Sequence, residues 1–151
     1  EVLWMFLLLA ADQVSKLLIH HYLEGELVII PYGVSFLRHE NVHHSAITSF
    51  LNIPVSRWMM AIIKPVFLIL LWFLLKESLQ EIDGGAYASL SRILFFSGGI
   101  ASVLDTVFWG YTLDFIYLKG FFTMDLKDLY ISLAFGAFLL LVWNAEEKKK
   151  A

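Results

Sequence analysis

Between Ser97 and Asp128 the chain reads SGGIASVLDTVFWGYTLDFIYLKGFFTMDLKD. The reading of this stretch decides the fold. Asp105 closes one strongly apolar segment, Asp125 and Asp128 open another, and Asp114 sits between them among aromatic residues. An acid at the edge of hydrocarbon costs several kcal/mol if charged and unpaired, so carboxylates in such places point to function.

The surrounding composition fixes what those apolar segments are. The chain has 151 residues, 59% of them hydrophobic and 17% charged, with a mean hydropathy of +0.71. Soluble domains are about 25% charged, so the pattern is that of a polytopic membrane protein. A net charge of -3 excludes a nucleic-acid surface. The absence of cysteine excludes disulfides, thiolate metal sites and a Cys nucleophile.

Working outward, four segments have the length and apolarity to cross a bilayer, at about residues 2–23, 58–75, 88–104 and 129–143. The first lacks a basic leader and a small-residue cleavage site, so it reads as a retained helix rather than a secretory signal. The missing initiator Met suggests that a few residues precede it. Its last third carries Asp12, Gln13, Ser15, Lys16, His20 and His21. Asp12 and Lys16 stand four apart on one helical face, the spacing of an internal ion pair. Lys64 and Pro65 interrupt the second span, the lysine to snorkel or pair and the proline to kink. The patch Ser97, Gly98, Gly99, Ala101, Ser102 in the third permits close helix contact.

Two segments lie outside the spans, at about 24–56 and 106–127. In the first, Leu27 to Ile30 and Val34 to Leu37 flank the breaker Pro31-Tyr32-Gly33 and predict two short strands over one end of the bundle. The second is aromatic-rich. An Asp114 carboxylate in such a loop accepts backbone or Lys119 hydrogen bonds. His20, His21, His39, His43 and His44 all fall in one polar region; His39 and His43 suit a metal if helical, but no second ligand cluster accompanies them, so they read as solvated residues and no metal or cofactor is expected. Tryptophans and tyrosines at the span ends form an interfacial belt. Phe108-Trp109 and Phe121-Phe122 are candidates for dipping into lipid. With four spans both termini share one side, and the terminal lysines, Lys76 and Arg92 mark it as cytoplasmic. No linker divides the chain, so residues 1–151 read as a single integral membrane domain.

The order of these features resembles the lipoprotein signal peptidases, or signal peptidase II. Asp12-Gln13-Val14-Ser15-Lys16 and Gly110-Tyr111-Thr112-Leu113-Asp114-Phe115-Ile116 are the specific matches, and the likeness covers nearly the whole chain. It implies an all-α membrane bundle of four transmembrane helices with a small extracytoplasmic β-sheet, placed in a bacterial inner membrane. It also implies an aspartyl endopeptidase that cuts a prolipoprotein before its lipid-modified cysteine. By position it makes Asp105 and Asp128 the catalytic acids, with Asp12, Lys16, Asn41, Ser102, Asp114 and Asp125 as supporting or lipid-contacting residues. Asp114 is expected to brace the extramembrane platform.

The chain departs from the family pattern beside both acids. Asn-x-x-Asp-Arg is replaced by Ser102 to Thr106, Phe-Asn-x-Ala-Asp by Met124 to Asp128, and Asn-x-Gly-Ala-Ala-Phe by Asn41 to Ala46. Lys127 adds a cation next to Asp128, and Asp125 adds a like charge. Two readings follow: a peptidase with a re-tuned site, or a non-catalytic membrane subunit that binds lipid, lipoprotein or a partner membrane protein.

Overall fold

The computed structural model describes residues 1–42, 55–81 and 85–150. His43, His44 and Ala46 lie outside the described residues. Among the described residues, four helices and a sheet form the fold. Helix α1 (Val2–Tyr22) leads into strands β1 (Glu26–Ile30) and β2 (Val34–Asn41); helix α2 (Arg57–Glu81) and helix α3 (Gly85–Leu104) follow. A π-helical turn at Asp105–Trp109 extends α3, strands β3 (Thr112–Leu118) and β4 (Phe122–Met124) come next, and helix α4 (Leu126–Lys150) ends the chain. Three of these helical stretches, Val2–Tyr22, Gly85–Trp109 and Leu126–Ala145, are long and apolar enough to cross a membrane.

The helix flanks are apolar, and charge is buried inside the bundle beside a smaller apolar core around Leu94, Ala134 and Leu141. Leu3, Phe6, Ile62, Phe67, Leu133 and Leu140 are exposed on their flanks, while Asp12, Lys16, Asp105 and Asp125 are fully buried. That inversion is what a bilayer selects: lipid tails solvate leucine but not a carboxylate. Small residues bring the helices together. Helix α3 packs most extensively against α4, where Ser91 Oγ donates to the Ala134 carbonyl at 3.1 Å. A Cβ on Gly98 would stand 2.7 Å from Ile131 Cγ1 and 3.0 Å from the Lys127 carbonyl. Close approach therefore requires glycine at this position.

The expected strands form on either side of the breaker. Strands β1 and β2 pair antiparallel with Val28 opposite Ser35, and Tyr32 takes a left-handed conformation (φ 61°) at the turn. The aromatic-rich segment is also a hairpin: β3 pairs with β2 and with β4, giving one antiparallel sheet in the order β1-β2-β3-β4. Tyrosine, isoleucine and phenylalanine in β3 favour a pleated, half-buried surface. This second hairpin completes the sheet. In it His39 faces Asp114 and Asn41 faces Thr112, so β3 carries Asp114 back to the helix ends.

Helix α4 starts three residues before the span read from hydropathy. Asp125 is its N-cap, its Oδ1 accepting from the Asp128 backbone N–H at 3.1 Å, and Asp128 Oδ2 accepts from the Asp125 N–H at 3.4 Å. This reciprocal arrangement is a capping box made from two aspartates. It places Asp128 inside the first turn.

Candidate active site

The charged side chains of α1, the π turn and the first turn of α4 converge at the end of the bundle. Lys16 Nζ is the hub, 2.7 Å from Asp12, 2.7 Å from Asp105 and 2.8 Å from Asp125. The expected ion pair of Asp12 with Lys16 forms and gains two further acids. Gln13 Nε2 donates to Asp105 Oδ1 at 3.1 Å, and its own Oε1 accepts from Trp109 Nε1 at 3.2 Å. The Lys127 backbone N–H donates to Asp12 Oδ1 at 3.2 Å. Buried charges are tolerable only when paired and hydrogen-bonded in this way.

A second cation joins from α4. Lys127 Nζ pairs with Asp125 at very short range, lies 3.3 Å from Asp105 and reaches Asp128 Oδ1 at 4.0 Å. Burial pushes the Asp125 carboxyl up, but the Lys127 and Lys16 ammonium groups outweigh it and hold the group below its ordinary value.

Asp114 is in a different situation. Carboxylate oxygens of Asp114, Asp125 and Asp128 all lie within 4.8 Å of one another. Asn41 Nδ2 donates to Asp114 Oδ2 at 3.3 Å, while Asp114 Oδ1 is buried with no hydrogen-bond partner among the described residues. Burial raises its pKa to about 7; Lys127 opposes that rise, and Asp125 and Asp128 add to it. Asp128 is the open member of the group, with 44% of its side chain exposed. Asp114 and Asp128 thus form a pair of unequal acids, one buried and one accessible. Three carboxylates at this spacing resemble a cation site, but the Lys127 ammonium already occupies the Asp125 side of it.

Several sequence expectations are revised by this geometry. Asp105 is not the acid brought to Asp128 in the convergent carboxylate group; two lysine ammonium groups hold it in the ion network instead. Asp114 accepts a hydrogen bond from Asn41 of β2 and also faces the helix end as part of the acid cluster. Lys119 pairs with Glu26 at 3.3 Å rather than with Asp114, and both side chains lie at the protein surface. Ser102 contributes its carbonyl, which accepts from Lys64 Nζ at 3.1 Å; Lys64 also donates to Thr106 Oγ1 at 2.7 Å. Lys64 therefore pairs inward. Of the aromatic couples, Phe108, Phe121 and Phe122 point outward, whereas Trp109 turns in to Gln13. The central places of Lys127 and Gln13 were not anticipated, and a lysine between two aspartates at a helix start was the available signal.

Comparison with known proteins agrees with the fold and the motif order. Residues 4–144 match the family described as Signal peptidase (SPase) II. A lipoprotein signal peptidase of Streptococcus agalactiae serotype III is 26% identical over 146 residues, covering 93% of this chain and 89% of that one. One from Borreliella burgdorferi strain B31 is 30% identical over 151 residues, covering 92% and 85%. A solved structure described as a bacterial membrane enzyme at 2.3 Å resolution superposes with a TM-score of 0.80 at 18% identity, over 98% of this chain and 90% of that chain. A second, at 1.9 Å, gives 0.75. At such identity the superpositions speak for the fold, while the match across residues 4–144 decides membership: this chain belongs to the signal peptidase II family.

Proposed function

We propose that this chain is an aspartyl endopeptidase that removes the signal peptide of lipidated prolipoproteins, with Asp114 and Asp128 as its working acids. The observation that carries the reading is the approach of these two carboxylates at the mouth of the bundle. Two acids a few Å apart in a low-dielectric site share a proton. Asp114, buried and raised to about 7, holds it. The exposed Asp128 takes a proton from an attacking water while Asp114 donates to the scissile carbonyl oxygen. Water oxygen bonds to the carbonyl carbon; as the C–N bond breaks, the leaving cysteine amine receives the proton from Asp128 and the former carbonyl oxygen returns its proton to Asp114.

The remaining residues support rather than react. Asp12, Lys16, Asp105, Asp125 and Gln13 lock α1, the π turn and α4 together below the pair, and Asn41 orients Asp114. Among the described residues strand β1 has no partner on its outer edge, where an extended substrate segment can add its backbone. Helix α2 (Arg57–Glu81) serves as the fourth span of a single domain, both termini are cytoplasmic, and the sheet lies on the opposite side of a bacterial inner membrane. Cysteines at positions 40 and 149 would label from opposite sides; labelling from one side would overturn this topology.

One observation favours the non-catalytic relative: Lys127 stands within 4.0 Å of Asp128, and a lysine that neutralises the reactive acid would leave a binding protein with the same fold. Cleavage decides between the two. Purified protein in lipid is expected to cut a lipidated prolipoprotein peptide, and Asp114→Asn is expected to abolish the cut. An inactive unaltered chain, given a substrate that another lipoprotein signal peptidase accepts, would leave the binding reading.

A further inference from the structure

The buried network and the acid pair adjoin, and Asp125 and Lys127 are the side chains that join them. Lys127 Nζ meets Asp125 and Asp105 on the network side and Asp128 on the other. Its backbone N–H is held by Asp12. The side chain is 4% exposed, so its charge is not diluted by solvent, and at such depth an ammonium group influences every carboxylate within several Å.

A charge count shows why this lysine matters. Asp12, Asp105, Asp125 and Asp128 pair directly with Lys16 or Lys127, and Asp114 adds a fifth carboxyl within 4.8 Å of Asp125 and Asp128. Lys64 is spent on the Ser102 carbonyl and Thr106 hydroxyl. Without Lys127 the same carboxyls would depend on Lys16 alone. The sequence also lacks a cation immediately after Asp105, where Thr106 stands.

Resting on the peptidase reading above, we propose that Lys127 is a positioning residue that ties the buried ion network to Asp114 and Asp128, seating the first turn of α4 and setting the charge that the pair carries. It acts through its neighbours and touches no substrate. Among the described residues, the groups facing Asp114 are Asn41 and His39 of β2, Asp125 at the cap of α4, and Lys127 and Asp128 in its first turn. Lys127 is the cation among them. Burial, Asp125 and Asp128 favour the protonated form of Asp114, and Lys127 opposes them.

The test reads Asp114 directly as well as through cleavage. In protein reconstituted in lipid, the protonated carboxyl stretch of Asp114, assigned by its loss in Asp114→Asn, is followed by infrared difference spectroscopy from pH 5 to 10. The unaltered chain is expected to titrate near the value given above. Lys127→Met is expected to move the midpoint upward by about one unit or more, of the size a nearby charge produces, and Lys127→Arg to restore it. With the lipidated peptide, Lys127→Met is expected to lower kcat at least tenfold, each protein compared at its own pH optimum, because the first turn of α4 is no longer seated, with KM within twofold, and its alkaline limb should move up with the infrared midpoint. Lys127→Gln, which removes the charge but keeps a hydrogen-bonding side chain, guards against a Lys127→Met protein that fails to fold; it too should show a midpoint displaced upward. An unchanged midpoint in either folded variant would overturn the proposal, whatever the activity. A displaced midpoint in a chain that cleaves nothing would uphold the coupling and remove the peptidase reading instead.

Discussion

Lys16 Nζ lies 2.7 Å from Asp105 Oδ2 with both side chains buried, although 89 positions separate them in the chain. The same ammonium holds Asp12 and Asp125, so one cation joins three elements. Removing one partner of a buried ion pair leaves uncompensated charge and typically costs about 3–5 kcal/mol. Lys16→Met is therefore expected to destabilise by at least that much, seen as a large fall in the denaturation midpoint in mild detergent. A loss within about 1 kcal/mol would show that the network is not what holds these helices.

Substitution of the acids should sort them by role. Asp114→Asn and Asp128→Asn are each expected to lower kcat by several orders of magnitude, and the double change should cost little more than either single one, as for groups that act as a unit. Asp105→Asn is expected to lower stability while folded molecules still cut. Turnover per folded molecule separates the two effects; an Asp105→Asn protein that folds fully but cuts nothing would return that residue to the reacting pair.

Stability should depend on pH through Asp114. Its folded value lies near 7 against 3.8 for the free group, so the folded state binds the proton more tightly. The stability this contributes is present in full below about 4 and is lost as pH rises through about 7. Asp125, whose value is lowered, acts the opposite way, and its contribution is lost only as pH falls below about 4. Between pH 4.5 and 7.5 the melting temperature of the unaltered protein should therefore fall by an amount equivalent to a few kcal/mol at most, at about 1.4 kcal/mol per unit. Asp114→Asn should flatten that slope.

Gly98 is expected to govern the placement of Asp128. An added methyl would press on Ile131 and on the Lys127 carbonyl, displacing the turn that carries the acid. A shift near 1 Å in a reacting group costs on the order of 100-fold in rate. Gly98→Ala should thus lower kcat at least tenfold, while Gly136→Ala, whose added methyl meets nothing within 4 Å, should leave kcat unchanged.

Much of this arrangement was legible in the chain itself. The helical spans follow from hydropathy, the β1–β2 hairpin from its proline and glycine, and the Asp12 to Lys16 pair from spacing alone. Periodicity reports which face is apolar, not which distant acids will meet. Position in the family pattern singles out Asp105 and Asp128; the contacts of Lys16 and Lys127 with Asp105 and the approach of Asp114 to Asp128 are visible only in the folded chain. Asp114 was hidden further because an aromatic segment conceals its own strand pairing: β3 bonds back to β2, more than seventy residues earlier.

The four-residue spacing of Asp12 and Lys16 bears on how the chain enters a membrane. Asp105 and Asp125 arrive long after the first helix has been made, so their partners must wait for them. Because Lys16 carries a counter-ion one turn behind it on its own helix, that helix can be inserted as an electrically neutral unit. The later acids then exchange into contacts around a cation that is already in place, and assembly runs from the amino-terminal end.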